Sequence, residues 1–288
     1  MRRFMLLFVL ALFAGTAGAD RLDSHLRSVY SKTPDDFPEA RKRIGQVFVL
    51  REMSDSLKKY QYRFSKEPRI GIEKIDYDKY RGQEGKVIDL VAGETGRFKK
   101  FYWLVEFGDG TRGYAEWLPL VPEYIEGTYF KTDMAVAEKL VGHSVWVIKK
   151  QRPLATPAPD KTVEIKHLEK VTVIGIDTIA YGHGYGVAPF WLRIKTDDGR
   201  EALVAYDARR SFHSQNPFQK SWKPAIVEAI RNQQVIIGMT TEQTRLALGE
   251  PMRINRTVTA TGATEQWVYR GLYVYMDNGK VRAFQDSH

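Results

Sequence analysis

A chain of 288 residues with no cysteine forms no disulfide and holds no metal through thiolate. Its length allows two or three ordinary cores. Lys and Arg outnumber Asp and Glu by 44 to 35, a formal net charge of +9, which suits anionic lipid headgroups or cell-wall polymer and equally suits plain solubility.

Residues 1–19 read as a secretory signal. Arg2 and Arg3 form its positive end, Phe4 to Phe13 its apolar run, and Ala17-Gly18-Ala19 a small-residue cleavage site. Cleavage between Ala19 and Asp20 leaves 42 basic against 35 acidic residues, or +7, because residues 1–19 carry no acid. The apolar run is shorter than the ~20 residues a bilayer needs. No second long run follows, so no transmembrane helix is expected in the mature chain. The expected address is periplasmic or secreted, where nucleic acid is not an expected partner.

Residues 20–43 form a leader. Leu22, Leu26, Val29 and Tyr30 make a short helical stripe, Pro34 and Pro38 interrupt it, and the leader is expected to pack on the first domain.

Two similar units follow, over 44–130 and 131–212. The first holds Ile44-Gly45-Gln46-Val47-Phe48-Val49, then Gly85-Lys86-Val87-Ile88, then Tyr102-Trp103-Leu104-Val105-Glu106-Phe107 with Asp109-Gly110. The second holds Val141-Gly142-His143-Ser144-Val145-Trp146-Val147, then Lys170-Val171-Thr172-Val173-Ile174, then Phe190-Trp191-Leu192-Arg193-Ile194 with Asp198-Gly199. The shared order predicts an internal repeat of a strand, a long loop, a strand and a hairpin. In pattern it resembles the SH3-like barrel of bacterial envelope proteins. Trp103 and Trp191 are matched across the units and assigned to the cores; the alternative is an aromatic groove for peptide or glycan. Between the units, Thr132 to Leu140 is predicted as a helix capped by Thr132 and ended by Gly142. Pro153, Pro157 and Pro159 make the second unit's loop extended.

Residues 213–288 complete the chain with a linker, a helix and a C-terminal domain. Ser211 to Ser221 is polar and reads as a hinge. Trp222 to Arg231 reads as a helix capped by Ser221. Thr240 then caps a helix over Thr241–Leu248, with Gln243 placed for a capping box, and Gly249 and Pro251 stop it. Trp267-Val268-Tyr269 and Tyr273-Val274-Tyr275 are strand formers separated by Arg270-Gly271, and Asp277-Asn278-Gly279 marks the next turn. Two or three antiparallel strands are expected. Trp267 and Tyr269 share one side of theirs, facing the helix.

The run GMTTEQTRLALGEP, then Trp267-x-Tyr269, then Asn278-Gly279-Lys280-Val281 resembles the SmpA/OmlA (BamE-like) family. The resemblance implies a non-enzymatic α+β module that contacts envelope proteins and lipid headgroups, as in outer-membrane β-barrel assembly. The family's lipidated cysteine is missing here, so its anchoring does not carry over. Arg253, Arg256 and Arg270 are the expected partner-binding residues, on the face and turns away from the helix. The expected fold is mainly β with an α+β C-terminal module: two tandem SH3-like barrels followed by a BamE-like helix-plus-β-meander domain.

Little in the chain points to catalysis. The six histidines, at 25, 143, 167, 183, 213 and 288, form neither His-Glu-x-x-His nor His-x-x-x-His. No Gly-x-Ser-x-Gly elbow or phosphate loop occurs. Tyr181-Gly182-His183-Gly184-Tyr185-Gly186 reads as a hairpin loop, with a ligand lip as its alternative. No cofactor is expected. The expected function is a periplasmic binding or scaffold protein, peripherally associated with the outer membrane and linked to its assembly or integrity. The alternative is a cell-wall module holding peptidoglycan or peptide through the barrels.

Overall fold

The structure is a computed structural model that describes residues 33–52, 64–69, 74–93, 100–118, 123–148, 154–155, 162–179, 188–207, 211–259 and 262–286. The signal, the leader's stripe, the prolines of the second loop and the Tyr181–Gly186 run lie outside the described residues. The fold is mainly β, with curled antiparallel half-barrel sheets. It falls into two compact units. One runs to Val136 and includes Thr178–Phe190; the other comprises Ala137–Asp177 and Trp191 onward.

In the described part of the leader, a 3-10 turn over Pro34–Asp36 precedes a short helix over Pro38–Arg41. Each proline sits at a first helical position, where its missing N–H has no partner to lose. Phe37 lies against Phe101 and Trp117, with ring centroids 5.5 and 4.4 Å away. The leader's end is thus part of the first core.

The first unit holds β1 (Val47–Leu50), β2 (Phe64–Ser65), β3 (Glu84–Gly93), β4 (Lys100–Phe107), β5 (Arg112–Glu116) and β6 (Thr128–Phe130). They lie in the order β2-β5-β4-β3-β1-β6. Their inner side chains, among them Phe48, Val87, Phe101, Trp103, Val105 and Phe130, are fully buried. Gly85 stands opposite Phe48. A Cβ on Gly85 would lie 2.4 Å from the Phe48 ring, so only glycine fits there.

The second unit holds β7 (Ser144–Val147), β8 (Leu154–Ala155), β9 (Thr162–Val163), β10 (Glu169–Asp177), β11 (Trp191–Thr196), β12 (Glu201–Ala205) and β13 (Phe212–His213). Their order is β13-β7-β10-β11-β12-β8-β9. With β7 in the place of β1, this is the order of the first sheet, and β9 is added outside β8. Finer features coincide as well. Gly45 and Gly142 have φ of 84° and 81°, and donate to the carbonyls of Val87 and Val173, each at 2.8 Å. The third strand of the first unit bulges between Val87 and Asp89, and its counterpart between Val173 and Gly175.

The tryptophan match does not hold. Leu90 pairs with Trp103, and the equivalent Ile176 pairs with Leu192. Trp103 therefore corresponds to Leu192, and Trp191 to Tyr102. The reason is spacing: Asp109 is six residues beyond Trp103, whereas Asp198 is seven beyond Trp191. A shift of one residue in a strand exchanges its faces.

Two helices start elsewhere than predicted. The first spans Lys131–Glu138, and Thr132 lies inside it, donating its hydroxyl to Gln46 Oε1 at 2.9 Å instead of capping. The other spans Pro224–Arg231. Pro224 takes its first position and holds Lys223 extended at ψ 143°, so Ser221 is not its cap. The predicted hinge also begins inside the sheet. Ser211 and Phe212 are buried, and Phe212 pairs with Val147 in β13.

The C-terminal module has the predicted helix, Thr241–Leu248, followed by four strands: β14 (Arg253–Thr259), β15 (Gly262–Tyr269), β16 (Leu272–Asp277) and β17 (Lys280–Asp286). They form a simple meander. The first of them was not foreseen. Ile254 and Val258 are four residues apart, a spacing that fits a strand face and a helical stripe alike and so identifies neither. Among the described residues, no helix is long and apolar enough to cross a membrane.

Candidate functional site

The C-terminal module is built on a capping box. Thr240 N–H donates to Gln243 Oε1 at 2.9 Å, and Gln243 N–H to the Thr240 hydroxyl at 3.3 Å. Gly249 ends the helix at φ 81°, donating to the Arg245 carbonyl at 2.7 Å. Trp267 and Tyr269 are both buried beneath this helix, with Val274, Met276 and Val281 around them. Leu246 and Leu248 pack against that core. The group over the Trp267 ring, however, is the Arg245 guanidinium, 4.7 Å from its centroid. Trp267 N–H donates to Glu265 at 2.8 Å, and the other oxygen of Glu265 lies 3.6 Å from Arg256. Tyr269 donates to the Gly249 carbonyl at 3.1 Å. Burial, with Glu250 nearby, pushes its phenol above the ordinary value.

The second sheet contributes two residues to the same core region. Leu168 is fully buried in the cluster with Ile230, Met239, Ala247 and Trp267, with its backbone left-handed at φ 55°. His167, also buried, places Nε2 2.8 Å from the Leu246 carbonyl. That carbonyl lies in the helix's last turn, where no intrahelical donor remains, so Nε2 donates. This docking was not legible in advance, because a leucine in a loop carries no mark of left-handed backbone.

On the meander's other side, residues of alternate parity line up across the strands. Arg253, Val268, Tyr273 and Gln285 are successive partners, as are Asn255, Gln266, Tyr275 and Ala283. A chain of hydrogen bonds crosses this face: Asn255 to Gln266 at 2.8 Å, Gln266 to the Tyr275 hydroxyl at 3.3 Å, and Tyr275 to Gln285 at 3.4 Å. Arg253 donates to Asn255 at 2.6 Å.

The three expected arginines do not gather. Arg253 is on this outer face. Arg256, three residues along, is on the helix side beside Glu265. Arg270 is exposed in the turn between β15 and β16.

The two edges of the meander differ. Along β17, Gly238 N–H donates to the Val281 carbonyl and Val281 N–H to that of Met239, both at 2.8 Å, and Thr240 bridges to Lys280. The terminal position at the other edge belongs to β14, which among the described residues pairs with β15 alone. Ile254 and Val258 there are 40% and 70% exposed, despite lying on the side that the helix covers elsewhere.

In the two larger sheets, Trp103 and Trp191 are buried, at 0% and 5% exposure, and so cannot form an aromatic groove. Among the described residues, the Trp103 indole nitrogen has no hydrogen-bond partner. In the first unit, Asp109 accepts from Lys79 at 2.7 Å and from Tyr80 at 2.8 Å. The Lys79 ammonium, with the Thr111 N–H, holds that carboxyl well below the usual range. In the second unit, Arg200 reaches Asp198 at 2.8 Å and Glu169 at 2.7 Å. The first cluster ties the short helix Tyr77–Tyr80 to the turn between β4 and β5, and the second ties the start of β10 to the turn between β11 and β12. Among the described residues, no three His, Asp or Glu side chains gather as a metal ion requires.

In comparisons with known proteins, no family model, no curated protein and no solved structure matches this chain.

Proposed function

We propose that this is a non-enzymatic binding or scaffold protein of the bacterial cell envelope, with its C-terminal module as the partner-binding end and two SH3-like barrels as its frame. The reading is carried by the helix-plus-meander. Its capping box at Thr240 and its buried Trp267 and Tyr269 agree with the local sequence reading of the run that resembles the BamE-like family, and this supports the proposal. The shared strand order of the two larger sheets supports the SH3-like part, since a terminal strand pairs beside the first strand in both. The signal-like residues 1–19 supply the address: periplasmic, with envelope proteins as the partners. The net charge of +9 permits accompanying contact with anionic lipid or cell-wall polymer.

The test is site-specific photo-crosslinking in the envelope. Probes at Gln266 and Tyr273, on the meander's open face, are expected to capture an envelope protein, and probes at Lys86 and Lys195, on the larger sheets, are not. Exported material should begin Asp20-Arg21-Leu22. Crosslinks from the sheet positions alone, or co-sedimentation with purified sacculi, would move the function to the barrels and favour the cell-wall reading. Retention of the chain in the cytoplasm would overturn both.

A further inference from the structure

We propose that β14 is a strand-accepting edge, which pairs with an extended segment of a partner protein carrying carboxylates opposite Arg253 and Arg256 and apolar side chains opposite Ile254 and Val258. This deepens the reading above and rests on the C-terminal module being the partner-binding end.

Three observations converge on this strand. The first is the asymmetry of the meander. An open strand edge exposes a row of backbone donors and acceptors that can template another strand, and proteins usually cover it. Here residues 238–241 of the same chain pair with the Lys280–Val281 end of the β17 edge, while β14, seven residues long, ends the sheet with no such pairing among the described residues. The second is apolar exposure. Met252, Ile254 and Val258 are 66%, 40% and 70% exposed. Ile254 is the cross-strand neighbour of Trp267, which is buried, so the apolar surface beneath the helix continues outward to the edge. The third is charge. The strand reads Arg253-Ile254-Asn255-Arg256-Thr257-Val258-Thr259, with two cations and no acid.

Each feature selects something about the guest. The backbone row selects an extended chain, the binding mode in which main-chain hydrogen bonds give affinity and alternate side chains give specificity. Ile254 and Val258 share the helix side with Arg256, while Arg253 faces outward. An antiparallel guest therefore presents, in its own order, an apolar residue, any residue, an acid, any residue, an apolar residue and an acid. A second copy of this chain is the poorer guest. Antiparallel pairing of β14 with itself about its middle residue sets Arg256 against Arg256, and like charges directly opposite are unfavourable.

The experiment uses the purified full-length mature chain and a blocked hexapeptide, Val-Thr-Glu-Thr-Val-Glu, followed by amide NMR shifts and hydrogen exchange. The control is the same peptide with lysine in place of glutamate. The glutamate peptide is expected to shift and protect β14 amides, leaving β17 unchanged, and to bind about tenfold more tightly than the lysine peptide, which corresponds to about 1.4 kcal/mol. The preference should weaken with added salt. The double variant Arg253→Glu, Arg256→Glu should prefer the lysine peptide. Because Arg256 touches Glu265, Arg253→Glu alone serves as a second variant, and it should lose most of the preference for glutamate with its melting temperature unchanged.

Shifts confined to β17 or to the larger sheets, equal binding of the two peptides, or no shift at millimolar peptide would each overturn the proposal. So would self-association through β14 without peptide, which would give the edge to a second copy. Failure here with envelope crosslinks still arising from Gln266 and Tyr273 removes only the edge mechanism. Peptide binding at β14 with crosslinks arising only from the sheets removes the wider functional reading instead.

Discussion

Gly82 and Leu168 hold the same position in the two larger sheets. Each lies five residues before the valine that receives the glycine N–H, Val87 or Val173, and each donates to the last residue of its sheet's first strand in chain order, Leu50 of β1 or Val147 of β7, at 2.7 Å. Both are left-handed, at φ 76° and 55°. In the first sheet the position is only a turn, and glycine meets its backbone requirement without strain. In the second, a leucine accepts an unfavourable backbone and is fully buried among residues of the C-terminal module. The two sheets also fill their interiors differently. Phe48 faces Gly85 in the first, whereas Val145 faces Val171 in the second. Bulk moved between partners leaves the strand order unchanged, because a core constrains total volume more tightly than it constrains each residue. The conserved backbone is a frame; what distinguishes the second copy is its use of one turn to hold the C-terminal module.

The largest effect expected from this comparison is in the cores. Trp103 and Leu192 are equivalent and both fully buried. Trp103→Ala should destabilise the first unit by about 3–5 kcal/mol, and Leu192→Ala the second by about 2–5 kcal/mol. Denaturant melts followed at each unit would check this; a loss below about 1 kcal/mol at either position would mean that the alignment places it wrongly.

Next comes the turn itself. Leu168→Gly relieves left-handed strain of about 1–2 kcal/mol but empties a buried leucine site. The net expectation is a loss of about 2–4 kcal/mol, felt as faster hydrogen exchange in both the second sheet and the Thr241–Leu248 helix. The reciprocal change, Gly82→Leu, adds the strain without the burial. No atom lies within 4 Å of the added Cβ, so the first unit should lose only about 1–2 kcal/mol. If Leu168→Gly were silent in the helix, the docking role would fall.

How much of this was legible follows from which forces act locally. The capping box at Thr240, the Gly249 stop and the buried pair Trp267 and Tyr269 were readable because each depends on residues a few positions apart. The repeat along the chain, a strand, a long loop, a strand and a hairpin, was readable from recurring glycines and Asp-Gly turns; the order in which the strands lie in each sheet was not. The face of Trp191 was misassigned because a side chain's type stood in for its register, although the distance to Asp198 already carried the answer. Leu168, Arg245 over Trp267 and the open β14 edge depend on contacts distant in the chain, and nothing local announces them. Ser221 does not cap its helix because Pro224, a stronger local signal, fixes the helix start and leaves Lys223 at the cap position.

A smaller effect tests the local signals. Thr240→Ala should lose about 1 kcal/mol by leaving helix-start N–H groups without their acceptor. The loss should appear as weaker protection in the first turn of the Thr241–Leu248 helix and leave the first unit unchanged.

The smallest effect returns to the two sheets and concerns pH. His213 pairs with Trp146 and Tyr129 with Val49, and these are equivalent sites, so the second sheet titrates where the first holds a tyrosine. Burial pulls the His213 imidazole below its ordinary value of 6.5. The folded state therefore binds fewer protons than the unfolded state, and stability rises with pH through that range. The contribution is complete above 6.5 and is lost as pH falls toward the lowered folded value. Asp109 and Asp198 are also held below their ordinary 3.8, so their contribution is present above that value and lost only in stronger acid. The windows separate. Between pH 7 and pH 5, the melting temperature of the second unit should fall, and His213→Tyr, which installs the first sheet's residue, should reduce that fall. An unchanged fall in the variant would assign the pH response to another group and leave the two sheets alike in this respect.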